Sequence, residues 1–127
     1  MSFCAVINCI DGRVQQPVSK YLKNYFEVKF VDCITEAGPV SILSKKQPKA
    51  NVEAILKKLK ISIEAHSSIG IGIVAHHDCA GNPVNKSQQL YDLNQSSLFL
   101  QSQFPKLKIV KLWVNENFEA IEYKREK

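Results

Sequence analysis

The sequence predicts an α/β domain built on an open, mainly parallel sheet of four strands in the order 2-1-3-4. Helices are expected on both faces of this sheet, and a short edge strand at its C-terminal end. Two observations lead to this class. Short apolar runs alternate with longer segments whose apolar residues recur at helical spacing, as in parallel sheets with right-handed crossovers. No linker or internal repeat interrupts the alternation, so we expect residues 1–127 to form one domain.

The first half of the chain contains two predicted strands and two predicted helices. Residues 3–9 (FCAVINC) are largely apolar, which suits a strand buried on both faces, and residues 28–34 (VKFVDCI) suit a second strand. Pro17 stands where a helix can begin, and its apolar stripe follows at helical spacing: Val18, Tyr21, Leu22, Tyr25 and Phe26. Pro48 opens a second helix with the apolar stripe Val52, Ile55, Leu56 and Leu59.

The second half repeats the alternation. Residues 69–75 (IGIGIVA) predict a third buried strand whose glycines allow close packing of a helix. Asn85 with Gln88 three residues later is a capping pair that marks the start of a third helix, which ends at Pro105. The apolar residues of this helix are Leu90, Leu93, Leu100 and Phe104. Residues 107–114 (LKIVKLWV) predict the fourth strand, and residues 118–123 (FEAIEY) the short antiparallel edge strand.

Composition limits the class of protein. Hydrophobic residues make up 45% of the chain and charged residues 23%, as in ordinary soluble proteins. No apolar run is long enough to span a bilayer, and no secretory signal is evident, so we expect a cytoplasmic protein with reduced or metal-bound cysteines. The net charge of +5 arises between residues 45 and 60, which contain six lysines and one glutamate. Without interleaved arginine or aromatic residues, these lysines predict a solvated helix face. Polyanion binding is the alternative, and we expect neither nucleic acid nor a membrane as a partner.

Two polar clusters follow predicted strands 1 and 3, which are neighbours in the order 2-1-3-4. Residues 8–13 (NCIDGR) follow strand 1, and residues 75–82 (AHHDCAGN) follow strand 3. The gap between the two strand ends is the switch point at which open α/β sheets bind ligands. There, Cys9, His76 and Cys79 supply two thiolates and an imidazole, the ligand set of a catalytic zinc site with an open fourth position. Taken singly, a buried structural cysteine and a chance HxxC motif are the alternatives.

Asp11 and Arg13 stand beside these predicted ligands. Charged groups at a buried strand end are costly to desolvate, so the pair requires an explanation. Asp11 can accept a proton or a hydrogen bond from zinc-bound water, while Arg13 holds its carboxylate in a bidentate ion pair and off the metal. An exposed salt bridge in the turn is the alternative.

These motifs resemble those of the β-class carbonic anhydrases. Residues 9–13 (CIDGR) match the family's CxDxR motif, and residues 76–79 (HHDC) match its HxxC motif. Residues 35–40 (TEAGPV) are similar to the family's alanine-glycine loop, and the order of elements agrees over essentially the whole chain. The resemblance implies that zinc-bound hydroxide hydrates carbon dioxide reversibly to bicarbonate. It also implies the residue roles: zinc ligands Cys9, His76 and Cys79, and a catalytic dyad of Asp11 and Arg13.

Some features depart from the family or remain open. Only eight residues precede Cys9, so we do not expect the family's N-terminal helical arm with its glutamine, and Ala75 and Ala80 replace usual glycines. His77 is either a proton relay or an exposed histidine, and Cys33 either an adventitious ligand or a buried thiol.

The function and the assembly also leave alternatives. Hydrolysis of a small carbon-sulfur substrate and a non-catalytic, regulatory zinc-binding role are the alternatives to carbon dioxide hydration. We expect a homodimer or higher homo-oligomer, because an apolar sheet edge such as residues 107–114 is a poor surface to leave in water.

Overall fold

A computed structural model describes residues 2–124 of the chain. Its strands are β1 (Phe3–Cys9), β2 (Phe30–Glu36), β3 (Gly70–His76), β4 (Lys108–Val114) and β5 (Ala120–Glu122). Its helices are α1 (Gln15–Phe26), α2 (Pro39–Lys45), α3 (Lys49–His66) and α4 (Lys86–Gln103), and a 3₁₀ turn, Gly12–Val14, precedes α1. Within the described residues, no helix is both long and apolar enough to cross a membrane.

The strands form one five-stranded sheet in the order β2-β1-β3-β4-β5. Strands β1 to β4 are parallel to one another, and β5 is antiparallel to β4. This arrangement confirms the predicted mainly parallel sheet and its short C-terminal edge strand. It also brings the C-terminal ends of β1 and β3 side by side.

Helices cover both faces of the sheet, as predicted. On one face, alternate strand residues such as Ile7 and Ile73 pack with side chains from α2, α3 and α4. On the other, residues such as Val6 and Val74 pack with Val18 and Leu22 of α1. The helices that follow β1 and β3 therefore lie on opposite faces, so the gap between these strand ends is the switch point of the sheet.

Several helix signals are confirmed. Asn85 caps α4, because its side-chain oxygen accepts a hydrogen bond from the backbone N–H of Gln88 at 2.9 Å. Pro48 is the N-cap residue of α3. The six lysines between residues 45 and 60 are all exposed, in agreement with a solvated helix face.

The structure corrects two predicted boundaries near the start of the chain. Helix α1 begins at Gln15 and not at Pro17, because the Asp11 carboxylate caps the preceding 3₁₀ turn by accepting the N–H of Arg13. Strand β2 begins at Phe30 and not at residue 28. Glu27 adopts a left-handed conformation with φ 54°, which ends α1 and delays the strand.

Two other features differ from the sequence prediction. Helix α2 has no predicted counterpart; it begins where Gly38 adopts a left-handed conformation and Pro39 fixes the first helical position. Strand β4 is not an edge of the sheet, because β5 pairs with its residues Leu112 to Val114. The apolar edge expected at residues 107–114 is therefore partly covered, and the edge strands are β2 and β5.

Candidate metal centre

Three potential metal ligands meet at the ends of β1 and β3. Cys9 is the last residue of β1, His76 is the last residue of β3, and Cys79 lies in the turn that follows. All three side chains are buried, and their ligand atoms lie within 4.8 Å of one another. Among residues 2–124, this is the one group of three or more His, Cys, Asp or Glu side chains arranged to hold a metal ion.

The sulfur separation fits a tetrahedral zinc site. The Sγ atoms of Cys9 and Cys79 are 3.9 Å apart. Two Zn–S bonds of about 2.3 Å at the tetrahedral angle require sulfurs about 3.8 Å apart. The two thiols therefore already have the spacing that Zn²⁺ needs.

The imidazole of His76 also fits a metal. Its Nδ1 lies 2.8 Å from the carbonyl oxygen of His77, so Nδ1 carries the proton and donates it there. This tautomer leaves Nε2 as an acceptor, and Nε2 is buried without a hydrogen-bond partner in the part of the chain that the structure describes. A buried unsatisfied acceptor is destabilising, and a metal ion is a group that would satisfy it.

The two thiols influence each other's ionisation because their sulfur atoms are 3.9 Å apart. The hydrogen bond between the two sulfur atoms lowers the pKa of Cys9 well below its usual range and raises that of Cys79. Burial opposes ionisation of both groups. The site thus favours a thiolate, the form in which cysteine binds metals.

Two loops pack backbone against backbone beside the sulfurs. Gly38 has φ +66°, and a Cβ atom there would lie 2.6 Å from the carbonyl carbon of Gly81. A Cβ atom on Gly81 would in turn lie 2.6 Å from the backbone nitrogen of Gly38. The backbone N–H of Gly38 helps to lower the pKa of Cys9, and that of Gly81 opposes the rise in the pKa of Cys79, so this close contact also shapes the electrostatics of the site. Ala80 replaces a glycine that is usual in the family, and Gly81, one residue later, allows the two backbones to approach closely.

Asp11 and Arg13 form a bidentate ion pair next to the ligands. Arg13 Nε donates to Asp11 Oδ1 at 3.0 Å, and Arg13 Nη2 donates to Oδ2 at 2.7 Å. This hydrogen bonding lowers the pKa of Asp11 to about 2. Arg13 Nη2 also donates to the carbonyl of Asp78 at 3.1 Å, and its guanidinium lies 5.3 Å from the centroid of the Phe118 ring. Arg13 therefore links the turns that follow β1, β3 and β4.

Several contacts of the site have no signal in the sequence. Gln15 Nε2 donates to the carbonyls of Cys9 at 2.7 Å and of Asp11 at 2.9 Å, tying the end of β1 to α1. Phe118 reaches Arg13 from the turn between β4 and β5. Neither contact could be predicted, because a side chain that binds backbone carbonyls and a ring from a distant turn belong to no sequence motif and no hydrophobic period.

The structure separates His77 and Cys33 from the three ligands. His77 is exposed, and its backbone N–H donates to the carbonyl of Val114 at 2.9 Å. Cys33 is exposed within β2, and its thiol donates to Gln15 Oε1 at 3.7 Å. Neither alternative predicted for Cys33 is found: it is not among the grouped ligands, and its thiol is exposed on β2, an edge strand of the sheet.

A comparison with protein-family models identifies a family for this chain. The model described as "Putative carbonic anhydrase" matches residues 1–123, a span that contains the whole sheet and every residue of the site. A search of curated proteins finds no match to the chain.

Proposed function

Because this chain belongs to the carbonic anhydrase-like family, we propose that it is a zinc-dependent enzyme that hydrates carbon dioxide reversibly to bicarbonate. The family supports the substrate and the reaction. The observation that carries the proposal is the buried convergence of Cys9, His76 and Cys79 next to the ion pair of Asp11 and Arg13. A fold of this kind hosts many activities, so the proposal depends on these side chains.

Cys9, His76 and Cys79 would hold Zn²⁺ with two sulfurs and one nitrogen, leaving a fourth position for water or substrate. Zn²⁺ would supply the Lewis acidity that makes water a competent nucleophile near neutral pH. The carbonyl of His77 fixes the ring of His76, because it accepts the Nδ1 proton and leaves Nε2 for the metal.

Asp11 is proposed to orient the attacking water. Its carboxylate is ionised at neutral pH, since its pKa is lowered to about 2 by Arg13. An ionised carboxylate accepts hydrogen bonds but does not donate them, so it aligns the nucleophile by binding its hydrogen. Arg13 holds both carboxylate oxygens, which restrains Asp11 from moving onto the metal.

We further propose that the protein is a homodimer or higher homo-oligomer and that it acts in the cytoplasm. Exposed apolar side chains at the end of the sheet that carries the site support assembly: Ile10, Val84 and Phe118. Ile10 directly follows the ligand Cys9 and is 63% exposed. The four cysteines are unpaired thiols, which fits a reducing compartment.

Stopped-flow measurement of carbon dioxide hydration by the zinc-loaded protein tests the proposed function. We expect hydration above the uncatalysed rate, and no catalysis by a Cys79→Ser control. Zinc binding without hydration would replace the proposal with a non-catalytic zinc-binding role. Turnover of a small carbon-sulfur compound in place of carbon dioxide would instead indicate the hydrolase alternative.

A further inference from the structure

A buried polar network connects α4 to the loop that carries Cys79. The network consists of Asn82 in the loop and of Gln89 and Asp92 in α4, which are 4%, 2% and 3% exposed. Asn82 Nδ2 donates to Asp92 Oδ2 at 3.0 Å, and Gln89 Nε2 donates to the carbonyl of Asn82 at 2.6 Å. The other oxygen of Asp92 accepts a hydrogen bond from Gln88 Nε2 at 3.0 Å. Two residues of one helix thus bind both the side chain and the backbone of Asn82.

Burying this polar network between α4 and the loop costs free energy that an apolar contact would not. A buried carboxylate such as Asp92 must be compensated by donors. In the part of the chain that the structure describes, Gln89 Oε1 is buried and has no hydrogen-bond partner. The amide cannot be reversed without bringing Gln89 Oε1 against the carbonyl oxygen of Asn82, so the bond to Asn82 leaves this acceptor unsatisfied. An apolar side chain at position 89 would avoid this unsatisfied acceptor. The hydrogen bond to Asn82 is therefore not explained by stability of the fold alone.

The network ends at a metal ligand. The backbone N–H of Asn82 donates to the carbonyl of Cys79 at 3.3 Å, which closes the turn that Cys79 begins. Cys9 and His76 are fixed by strands of the sheet, whereas Cys79 depends on this turn for its position.

We propose that Gln89 and Asp92 are positioning residues that hold the Cys79 thiol in place for metal binding, an inference that rests on the proposed metal centre. They act through Asn82 and do not contact the metal position themselves. Outer contacts of this kind typically change metal affinity by about 10- to 100-fold. The pre-formed turn avoids the loss of conformational freedom that ordering Cys79 on binding would otherwise require.

Two variants and one matched control separate positioning from simple stabilisation. Gln89→Leu removes the donor to the Asn82 carbonyl together with the unsatisfied oxygen, while Asp92→Asn leaves one acceptor for two donors. Ser96→Ala is the control, because Ser96 is buried in the same helix but donates to the carbonyl of Val40 in α2 at 3.0 Å and not to Asn82. Zinc affinity is measured by competition with a chromophoric chelator, and unfolding midpoints are measured for metal-free and zinc-loaded protein.

We expect Gln89→Leu and Asp92→Asn to raise the zinc Kd by about 10- to 100-fold and to reduce the increase in midpoint that zinc produces. The metal-free midpoint of Gln89→Leu should stay the same or rise. Ser96→Ala should lower both midpoints equally and leave the zinc Kd unchanged. A zinc Kd equal to that of the wild type in both Gln89→Leu and Asp92→Asn overturns this inference but not the proposed metal centre. A wild-type protein that binds no zinc overturns the proposed metal centre and the inference with it.

Discussion

The carboxylate of Asp11 is held at both oxygens, each of which accepts hydrogen bonds from Arg13. The ion pair lowers the pKa of Asp11 to about 2 in the folded protein. A lowered folded-state pKa stabilises the fold fully above the ordinary aspartate pKa of about 4, and this contribution is lost as the pH falls toward the folded value. At neutral pH Asp11 is therefore always ionised, and its titration does not control activity there.

Replacing Asp11 by asparagine should lower turnover while leaving zinc in place. The amide would keep the size of the side chain but lose the charge that orients the nucleophile, so we expect a loss of about 10²-fold or more in kcat. Because Asp11 stays ionised, the ratio of wild-type to variant rates should be constant between about pH 5 and pH 9. Stopped-flow hydration with parallel zinc analysis measures both quantities, and a variant as active as the wild type would refute the orienting role.

Replacing Arg13 by alanine should abolish activity by a different route. Without its bidentate partner, Asp11 is free to bind the metal and fill the open position. We expect zinc content to be unchanged, hydration to be lost, and azide to bind the cobalt-substituted variant much more weakly than the cobalt-substituted wild type. Wild-type hydration by Arg13→Ala would show that the ion pair is only an exposed salt bridge.

At the level of elements, the loops after β2 and β3 determine the shape of the centre. Gly38 and Gly81 bring the two backbones into contact, and each loop contributes an N–H group near a thiol. The loop after β3 is further held by α4 through Asn82. The site is thus formed by the ends of β1 and β3 and by the loops after β2 and β3, whose backbones pack against each other.

Gly81→Ala should disturb this contact. Its Cβ atom would meet the backbone of residues 37–38, including the nitrogen of Gly38 at 2.6 Å, so the loops must separate. We expect a loss of about 1–3 kcal/mol in the free energy of unfolding, as in other overpacked sites, together with weaker zinc binding. Gly12→Ala is the matched control, since a Cβ atom there would meet nothing within 4 Å. Denaturant unfolding that is equally affected in the two variants would contradict this account.

The sequence predicted most elements because their signals are strong and local. The apolar strands β1 and β3, the cap at Asn85 and the motifs around Cys9 and His76 are all visible as patterns. Helix α2 is different: seven residues contain too few turns to show a periodic stripe, and its start depends on the left-handed conformation of Gly38. The Asn82 network was equally invisible, because it depends on tertiary contacts between a loop and a helix.

On the scale of the whole molecule, the strand order could be predicted and the assembly could not. The order follows from alternating strands and helices, which limits the possible connections. The apolar strand β4 indicated an exposed edge, but the three-residue strand β5 pairs with part of it. Whether two copies of the chain associate depends on how their folded surfaces fit together, and hydrophobic periodicity in the sequence does not describe that fit.

We still expect the protein to dimerise, now because of the apolar side chains beside the site and not because of β4. Light scattering at high micromolar concentration should show at least a dimer. Phe118→Ser should shift the protein toward a monomer, whereas Ile61→Ser should not, because Ile61 is an exposed residue of α3, a helix that carries none of the site residues. A monomeric wild type would count against the proposed assembly.

The central claim is that one zinc ion per chain binds to Cys9, His76 and Cys79. It is tested most directly by measuring zinc per chain in the wild type, Cys9→Ser and Cys79→Ser, with Cys33→Ser as the control for loss of an exposed thiol. We expect one zinc in the wild type and in Cys33→Ser, and much less in the other two variants, because each loses one of three ligands. Full zinc occupancy in both Cys9→Ser and Cys79→Ser would contradict the account.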